Sequence, residues 1–470
     1  MPRAPVDDAT PSIPSIPISF ADALPILTAL NGYGPKAADM NKYWNRNLGL
    51  GYKGVGYNVG PTPDNIVLNL YNKQNYVTTP LWNVIGVVNG TIPNEVIVVG
   101  NHRDAWIAGG AVDPNSGSAV LNEVVRSVGK ALEKGWKPLR TIVFASWDGE
   151  EYALIGSTEW VEEYLPWLDA ASVAYLNVDV GVGGSNFDCS AAPLLHGVLK
   201  RAIFAVPSPN QTVEGQTVGD TWGGRIKTMG SGSDFTAFQD FAGIPSVDMG
   251  FKAGDNAAYH YHSNYDSFYW MSHFGDPGFL YHRAMARVLG RMLAEMSNTV
   301  LVPFSATTYA DELGRYLDQV EERFENGPSR GGSGDHQEVD VLALRAARSA
   351  DDADAEGSKG DAEAFSERLL FVRQAIKQVR TAAEKVDADA QWCREEIDKG
   401  IPWWRFWHWV KVGVLAGKTN YKYKTLERAF LYEEGLDGRS WFKHVVFAPG
   451  LWTGYAGGEF FFFSIFAFLL

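Results

Sequence analysis

The sequence predicts an α/β domain on a mostly parallel sheet sandwiched by helices, followed by a helical region. Three observations carry this. Between residues 76 and 303, short β-branched apolar runs alternate with segments whose apolar residues recur at helical spacing. Those runs are close to continuously apolar, as strands buried on both faces are. Beyond 303 the strand-like runs stop and the helical spacing continues.

Taken in order, residues 1–75 are rich in Pro, Gly and Asn, with short apolar runs such as "NIVLNLYN", and read as short strands and loops. "LWNVIGVVNG" and "EVIVVGNH" read as two strands joined by the turn signal "GTIPN". "SGSAVLNEVVRSVGKALEKG" reads as a helix that closes on Gly135. "LRTIVFASW" is the next strand, "STEWVEEYLPWL" the next helix and "VAYLNVDVGV" a further buried strand. "YHRAMARVLGRMLAEMSN" is the helix that ends the domain near 303. Two long helical stretches follow, "ATTYADELGRYLDQVEERF" and "FSERLLFVRQAIKQVRTAAEKVDADAQWCREEI". The Gly-, Asp-, Ser- and Ala-rich stretch 326–364 between them reads as a disordered insertion. "IPWWRFWHWVKV" carries Trp403, Trp404, Trp407 and Trp409 and reads as a helix packed on both faces or at a subunit contact.

Bulk properties bound the function. At 470 residues, 46% hydrophobic and 20% charged, the chain is an ordinary globular one with room for two to three domains. A formal net charge of −14 argues against nucleic acid as a main partner, because phosphate binding needs a basic surface. Cys189 and Cys393 are too few for a disulfide scaffold or a thiolate metal site. The first residues lack the apolar core of a signal peptide, and no run inside the chain is long enough to span a bilayer. The apolar tail 460–470 is too short to span one alone. Two glycosylation sequons start at Asn89 and Asn210.

In open α/β sheets, sites form beyond the carboxyl ends of the strands. Here those ends and the loops after them supply His102, Asp113, the doublet Glu150-Glu151 and Asp179, and a Tyr-rich loop later adds His260 and His262. Singly, each has a bland reading: a satisfied histidine, a turn former before proline, a solvated acidic pair. Their succession at one edge of the sheet points to a metal. Imidazole with carboxylate suits zinc. Five protein ligands are too many for one open catalytic zinc, whereas two ions about 3.5–4 Å apart sharing a carboxylate use them all. One glutamate of the doublet then stays free to move protons.

The segments "NHRDAWIAGGAVDPNSGSAVLNEVVRS", "RTIVFASWDGEEYALIGSTEWVEEY", "GSGSDFTAFQDFAGIP" and "YHYHSNYDSF" resemble the glutamate carboxypeptidase II and transferrin receptor branch of the di-zinc aminopeptidases. So does "YKTLERAFLYEEGLDGRSWFKHVVFAPGLWTGYAGGEF". The resemblance covers about residues 10–459 apart from the insertion. It implies His102 and Asp179 on one zinc, Glu151 and His262 on the other, and Asp113 bridging them. It implies Glu150 as the general acid/base, which deprotonates the attacking water and later protonates the leaving amine, and Tyr261 as the group that steadies the oxyanion. Glu159 and Glu162 match half of a structural calcium site whose other half is not found in this chain.

The resemblance further implies a zinc-exopeptidase-like fold in residues 76–303. Residues 1–75 would be a remnant of a protease-associated (apical) domain, and 304–470 a helical domain that forms a homodimer. The family places a membrane anchor and most of the apical domain ahead of where this chain begins, on a route to the vacuole or plasma membrane. The expectation is therefore a chain shortened at both ends, whose parent is membrane-anchored and faces the lumen or exterior.

Departures from the family bear on the substrate. Asp248 and Gly250 stand where the glutamate-preferring carboxypeptidase has arginines, Ser233 stands for its asparagine, and Gly454, before Tyr455, for its lysine. An aspartate there repels an acidic side chain, so a C-terminal glutamate is not expected to be favoured. The resulting expectation is a di-zinc exopeptidase acting on peptides. A non-catalytic receptor or sorting protein on the same scaffold is the alternative, and a truncated, inactive product the third. The receptors have lost ligands and base, while this chain keeps all six residues.

Overall fold

The computed structural model describes residues 12–40, 49–75, 77–253, 260–326, 357–450 and 454–457. The chain divides into two compact units, Met1–Pro80 and Leu81–Leu470.

In the first unit, helix α1 (Phe20–Ala29) starts where the Ser19 hydroxyl accepts the Asp22 N–H at 3.1 Å. The strands expected in residues 1–75 do not form among the described residues. "NIVLNLYN" takes no regular secondary structure beyond a turn at Asn65; it has no partner strand among the described residues to complete its backbone hydrogen bonds, and Val67, Leu68 and Tyr71 are exposed.

The second unit is built on a six-stranded sheet. Its strands are β1 (Val84–Val88), β2 (Ile92–His102), β3 (Arg140–Trp147), β4 (Ser172–Asn177), β5 (Asn186–Ala191) and β6 (Ser246–Lys252). Their order is β1-β3-β2-β4-β6-β5, with β3, β2, β4 and β6 parallel and the two edges antiparallel. The turn-joined runs β1 and β2 are therefore not neighbours, because β3 lies between them. The three central strands bury nearly every side chain, with Ile97, Val98, Ile142, Val173 and Leu176 at or below 1% exposure. Each such aliphatic side chain contributes about 1.5–3 kcal/mol.

Helices α2 (Asn115–Glu133), α3 (Ile155–Ala171), α4 (His196–Ile203) and α5 (Leu280–Asn298) connect and flank the strands. Gly135 follows α2 at φ +86°, the left-handed stop its position suggested. Gly100 of β2 and Gly117 of α2 have no room for a side chain. A Cβ at Gly100 would lie 2.3 Å from the Tyr175 hydroxyl, and one at Gly117 would lie 2.1 Å from the Asp179 carbonyl oxygen.

The helical region comprises α6 (Ala306–Asn326), α7 (Gly357–Asp398) and α8 (Phe406–Leu426). Asp387 of α7 ties all three together. Its carboxylate accepts the Ala306 and Thr307 N–H groups at 2.9 and 3.0 Å, the Ser305 hydroxyl and the Tyr423 hydroxyl. A buried hub joins this region to the sheet domain: Glu427 accepts hydrogen bonds from Gln239, Tyr309 and His444.

Two further expectations change. The stretch 326–364 is not a disordered insertion throughout, since α6 runs to Asn326 and α7 begins at Gly357; residues 327–356 lie outside the described ones. The four tryptophans are not packed on both faces. Trp403 and Trp404, which precede α8, and Trp407 on it are 83%, 69% and 79% exposed, so the subunit-contact alternative stays open. The tail 460–470 lies outside the described residues.

Candidate metal centre

The chain leaves β2 for β3 on one side and then crosses to β4 on the other, so the sheet's switch point lies at the carboxyl end of β2. A crevice opens there in such sheets. The register levels the strand ends, with His102 opposite Trp147 and Gly100 opposite Asn177. His102 is the last residue of β2, and Asp113 lies in the loop entering α2. Glu150 and Glu151 follow β3, Asp179 follows β4, and His262 follows β6. His262, Ala153 and Leu154 have positive φ, so non-glycine backbone strain gathers beside the site.

These side chains meet in pairs. His102 Nε2 lies 3.2 Å from Asp179 Oδ1 and 3.2 Å from Asp113 Oδ1. His262 Nε2 lies 3.0 Å from Glu151 Oε2 and 3.4 Å from Asp113 Oδ2. Asp113 thus turns one oxygen to each histidine, and each histidine has a second carboxylate of its own. His262 Nε2 is buried and makes no hydrogen bond to either neighbour. A nitrogen aimed between two carboxylate oxygens in this way fits a shared cation. Donor atoms of His102, Glu150 and Asp179 all lie within 4.8 Å of one another, as do those of His102, Asp113 and Glu151. The donor set of imidazole and carboxylate, without thiolate, suits zinc.

Residues 83–273 match peptidase family M28, and residues 368–462 match the transferrin receptor-like dimerisation domain. The chain belongs to the M28 peptidases that carry this dimerisation domain. It is 38% identical over 446 residues to a probable glutamate carboxypeptidase of Arthroderma benhamiae, covering 94% of this chain and 54% of that protein. It is 35% identical over 337 residues to an aminopeptidase of Mus musculus, covering 66% of this chain and 44% of that protein. It is 29% identical over 455 residues to vacuolar protein sorting-associated protein 70 of Saccharomyces cerevisiae, covering 95% of this chain and 51% of that protein. The chain spans about half the length of the curated relatives it matches.

Within the M28 domain, two aspartates that the sequence reading passed over position the candidate ligands. Asp104 accepts the Glu150 and Glu151 N–H groups, both at 3.1 Å, and its carbonyl lies 3.0 Å from His102 Nδ1. One residue thereby fixes the doublet's backbone and turns the His102 Nε2 lone pair inward. Asp266 accepts the Val112 and Asp113 N–H groups at 2.8 and 3.1 Å and so sets the Asp113 loop. Asp104 lies two residues past His102, so a search for partners of the ligand histidine would have found it. Asp266 is 153 residues from Asp113 and left no such signal.

The electrostatics of the M28 site follow from burial and like charge. Burial, then Asp179, raises the Glu150 carboxyl far above its usual range. Burial, then Asp113, pushes Glu151 up to about 7. Burial opposes charge on His102, but Asp179 and hydrogen bonds to Asp104, Asp113 and Asp179 outweigh it and raise its pKa. The same imidazole overcomes burial at Asp179 and lowers that carboxyl. A carboxylate-rich site that gathers protons onto its own members is one that divalent cations would neutralise.

A cleft of about 1090 Å³ opens over these residues. Ser233, Asp248 and Tyr261 line it, together with Arg225, Lys252 and Trp441. Asp248 does not present a free charge: its Oδ1 accepts Asn177 Nδ2 at 2.9 Å and the Asp179 N–H at 3.4 Å. Ser233 Oγ accepts the same Asn177 amide at 2.9 Å. Tyr261 stacks on His262, with ring centroids 3.7 Å apart, and is 53% exposed. His260 instead sits beside Tyr265 and Trp270. Tyr455 lies in the short strand Gly454–Gly457, and its side chain is outside the described residues. Glu159 and Glu162 lie on α3, where Glu162 accepts Trp441 Nε1 at 2.7 Å, and neither belongs to a metal-type cluster among the described residues.

Proposed function

We propose that this chain is the catalytic and dimer-forming part of a di-zinc exopeptidase. The observation that carries the reading is Asp113, whose two carboxylate oxygens face two different histidines, each with a carboxylate of its own. His102 and Asp179 would hold one zinc, His262 and Glu151 the other, and Asp113 would bridge. When bound, the two ions polarise the scissile carbonyl and lower the pKa of water at that place.

The remaining work falls to the chain's own residues. Glu150 is buried beside Asp179, and burial holds its carboxyl well above the usual range, so it serves as the proton carrier. It takes a proton from the attacking water and returns it to the leaving amine. The Tyr261 hydroxyl, held by stacking on His262, donates to the developing oxyanion. Positions 248 and 250 carry an inward-bonded aspartate and a glycine, not the arginines of the glutamate-preferring carboxypeptidase, so an acidic substrate side chain finds no guanidinium clamp there. We therefore read the enzyme as unselective for a C-terminal glutamate. Cleavage of N-acetyl-aspartyl-glutamate far faster than of analogues ending in Ala or Leu would refute that part.

The receptor-like alternative is disfavoured because the chain retains every one of the six residues the chemistry needs. A homodimer through residues 368–462 belongs to the same proposal, as does a vacuolar or secretory location, which the yeast sorting-associated relative supports. The deciding experiment is hydrolysis of blocked and unblocked dipeptides by the purified chain, with and without a chelator. Turnover that is lost with the metal and restored by zinc supports the enzyme. Turnover indifferent to chelation overturns it.

A further inference from the structure

The candidate metal ligands line only part of the cleft, and one of its walls grows directly out of the glutamate doublet. The chain turns back just past Glu151, where the Leu154 N–H donates to the Glu150 carbonyl oxygen at 2.8 Å. Leu154 caps the start of α3, and Thr158 and Glu162 follow at steps of four, so the three share one side of that helix. Leu154 and Thr158 line the cleft, while Glu162 accepts the Trp441 indole N–H at 2.7 Å. Trp441 also stacks on Phe241, with ring centroids 5.1 Å and planes 14° apart. An indole held by both its N–H and one face is fixed in place, and it lines the cleft beside Phe442.

This wall has one chemical character. Leu154, Thr158, Phe235, Trp441 and Phe442 carry no charge. The cleft's cations belong to the other end of the sheet. Lys227 pairs with Asp188 of β5 at 2.8 Å, Arg225 precedes it by two residues, and Lys252 ends β6. In the strand order β6 is three places from β3, about 14 Å away, whereas the apolar wall starts just past the end of β3. Glu150 fixes what the wall meets. A group that returns a proton to the leaving amine must lie within hydrogen-bond reach of that nitrogen. The residue that departs with the amine therefore sits beside Glu150, and its side chain meets the wall that follows Glu150 in the chain.

We propose that Leu154, Thr158 and Trp441 form the pocket for the departing residue and select an apolar side chain there, Leu or Phe over Gly, Glu or Lys. Trp441 is the specificity-determining residue, supplied by the 368–462 segment to a site whose candidate metal ligands all lie in the sheet domain. Such a wall favours each methylene it buries and disfavours a charge it strips of water. The inference rests on the exopeptidase reading and adds the substrate class to it. It holds for trimming from either end, because the second residue of a dipeptide departs in both.

The test is kcat/KM of the purified full chain on blocked and unblocked dipeptides that share a first residue and end in Gly, Ala, Leu, Phe, Glu or Lys, with and without a chelator. The wild type should cleave those ending in Leu and Phe about 10–100-fold better than those ending in Gly or Glu. Trp441→Ala should lower the Leu-to-Ala ratio about 10-fold; a purely structural defect would slow both substrates together and leave the ratio where it was. Thr158→Lys keeps the test valid if Trp441→Ala fails to fold, and should raise the Glu-to-Leu ratio about 10-fold by setting a cation in the wall. A wild type that does not favour Leu and Phe, or ratios unmoved in every variant that folds, overturns the pocket and leaves the exopeptidase standing. Absence of chelator-sensitive turnover on every dipeptide overturns the exopeptidase reading and the pocket with it.

Discussion

Glu150 and Glu151 are adjacent in the chain and, on the proposed reading, opposite in task. Their like charges would have no structural reason to sit together, and the geometry gives each its own partners: Asp179 and His102 for Glu150, His262 for Glu151. Replacing Glu150 with Gln should lower turnover about 10²–10⁴-fold while zinc content stays at the wild-type level, as read by rapid kinetics and atomic absorption on one preparation. Replacing Glu151 with Gln should instead cost one zinc. Asp104 makes a different prediction, because it acts through other residues. Asp104→Ala should weaken zinc affinity about 10–100-fold by freeing both the His102 ring and the doublet's backbone, measured by competition with a chromogenic chelator; unchanged affinity would show that the ligands hold themselves. The candidate ligands could be listed from the sequence, because each sits at a strand end or in the loop that follows one, where residue type alone is informative. Asp266 could not, because its role is to accept two N–H groups from a loop distant in sequence. The charge at Asp248 was legible, but its use was not: its hydrogen bonds to Asn177 and the Asp179 N–H turn it inward.

Two contacts between elements set the geometry around the site. Helix α2 comes within backbone distance of the end of β4 only because residue 117 is glycine. Gly117→Ala must push the helix or the Asp179 segment away, and zinc content and thermal stability should fall together; a variant with wild-type values of both would exclude the close approach. Asp387 clamps α6 to α7 and α8. Burial works against its charge, but the Thr307 N–H, the Tyr423 hydroxyl and the Ala306 N–H outweigh it and hold its carboxyl below the usual range. A depressed carboxyl pKa contributes stability that is full above the unfolded value and is lost as pH falls through the folded one. Asp387→Asn should therefore cost about 2 kcal/mol near neutral pH in urea titrations, and the gap from wild type should close below about pH 4. The strands and helices from residue 84 to 298 were legible because their apolar periods are unmixed. The pairing was less so. A turn signal between two apolar runs suggests neighbours, whereas β1 instead takes the free side of β3, which a local pattern cannot reveal.

For the molecule as a whole, composition is a poor guide to what its surfaces meet. The tryptophan-rich segment could be read as packed or as a contact, and only the exposure of Trp403, Trp404 and Trp407 separates the two. The strands expected within residues 1–75 do not form among the described residues, because β-branched residues suggest a strand even where no partner lies alongside. The ligands come from five separate chain segments between His102 and His262, so cations that bind them should cross-brace the folded sheet domain and find no preformed site in the unfolded chain. Adding zinc at about a thousand times its dissociation constant should raise stability by about 4 kcal/mol, and chelation should remove that gain in differential scanning fluorimetry. The account's central claim is the paired site itself, and the zinc content of the purified, folded chain tests it most directly. It predicts two zinc ions per chain. Less than one ion per chain, in a sample whose circular dichroism shows it folded, would contradict it.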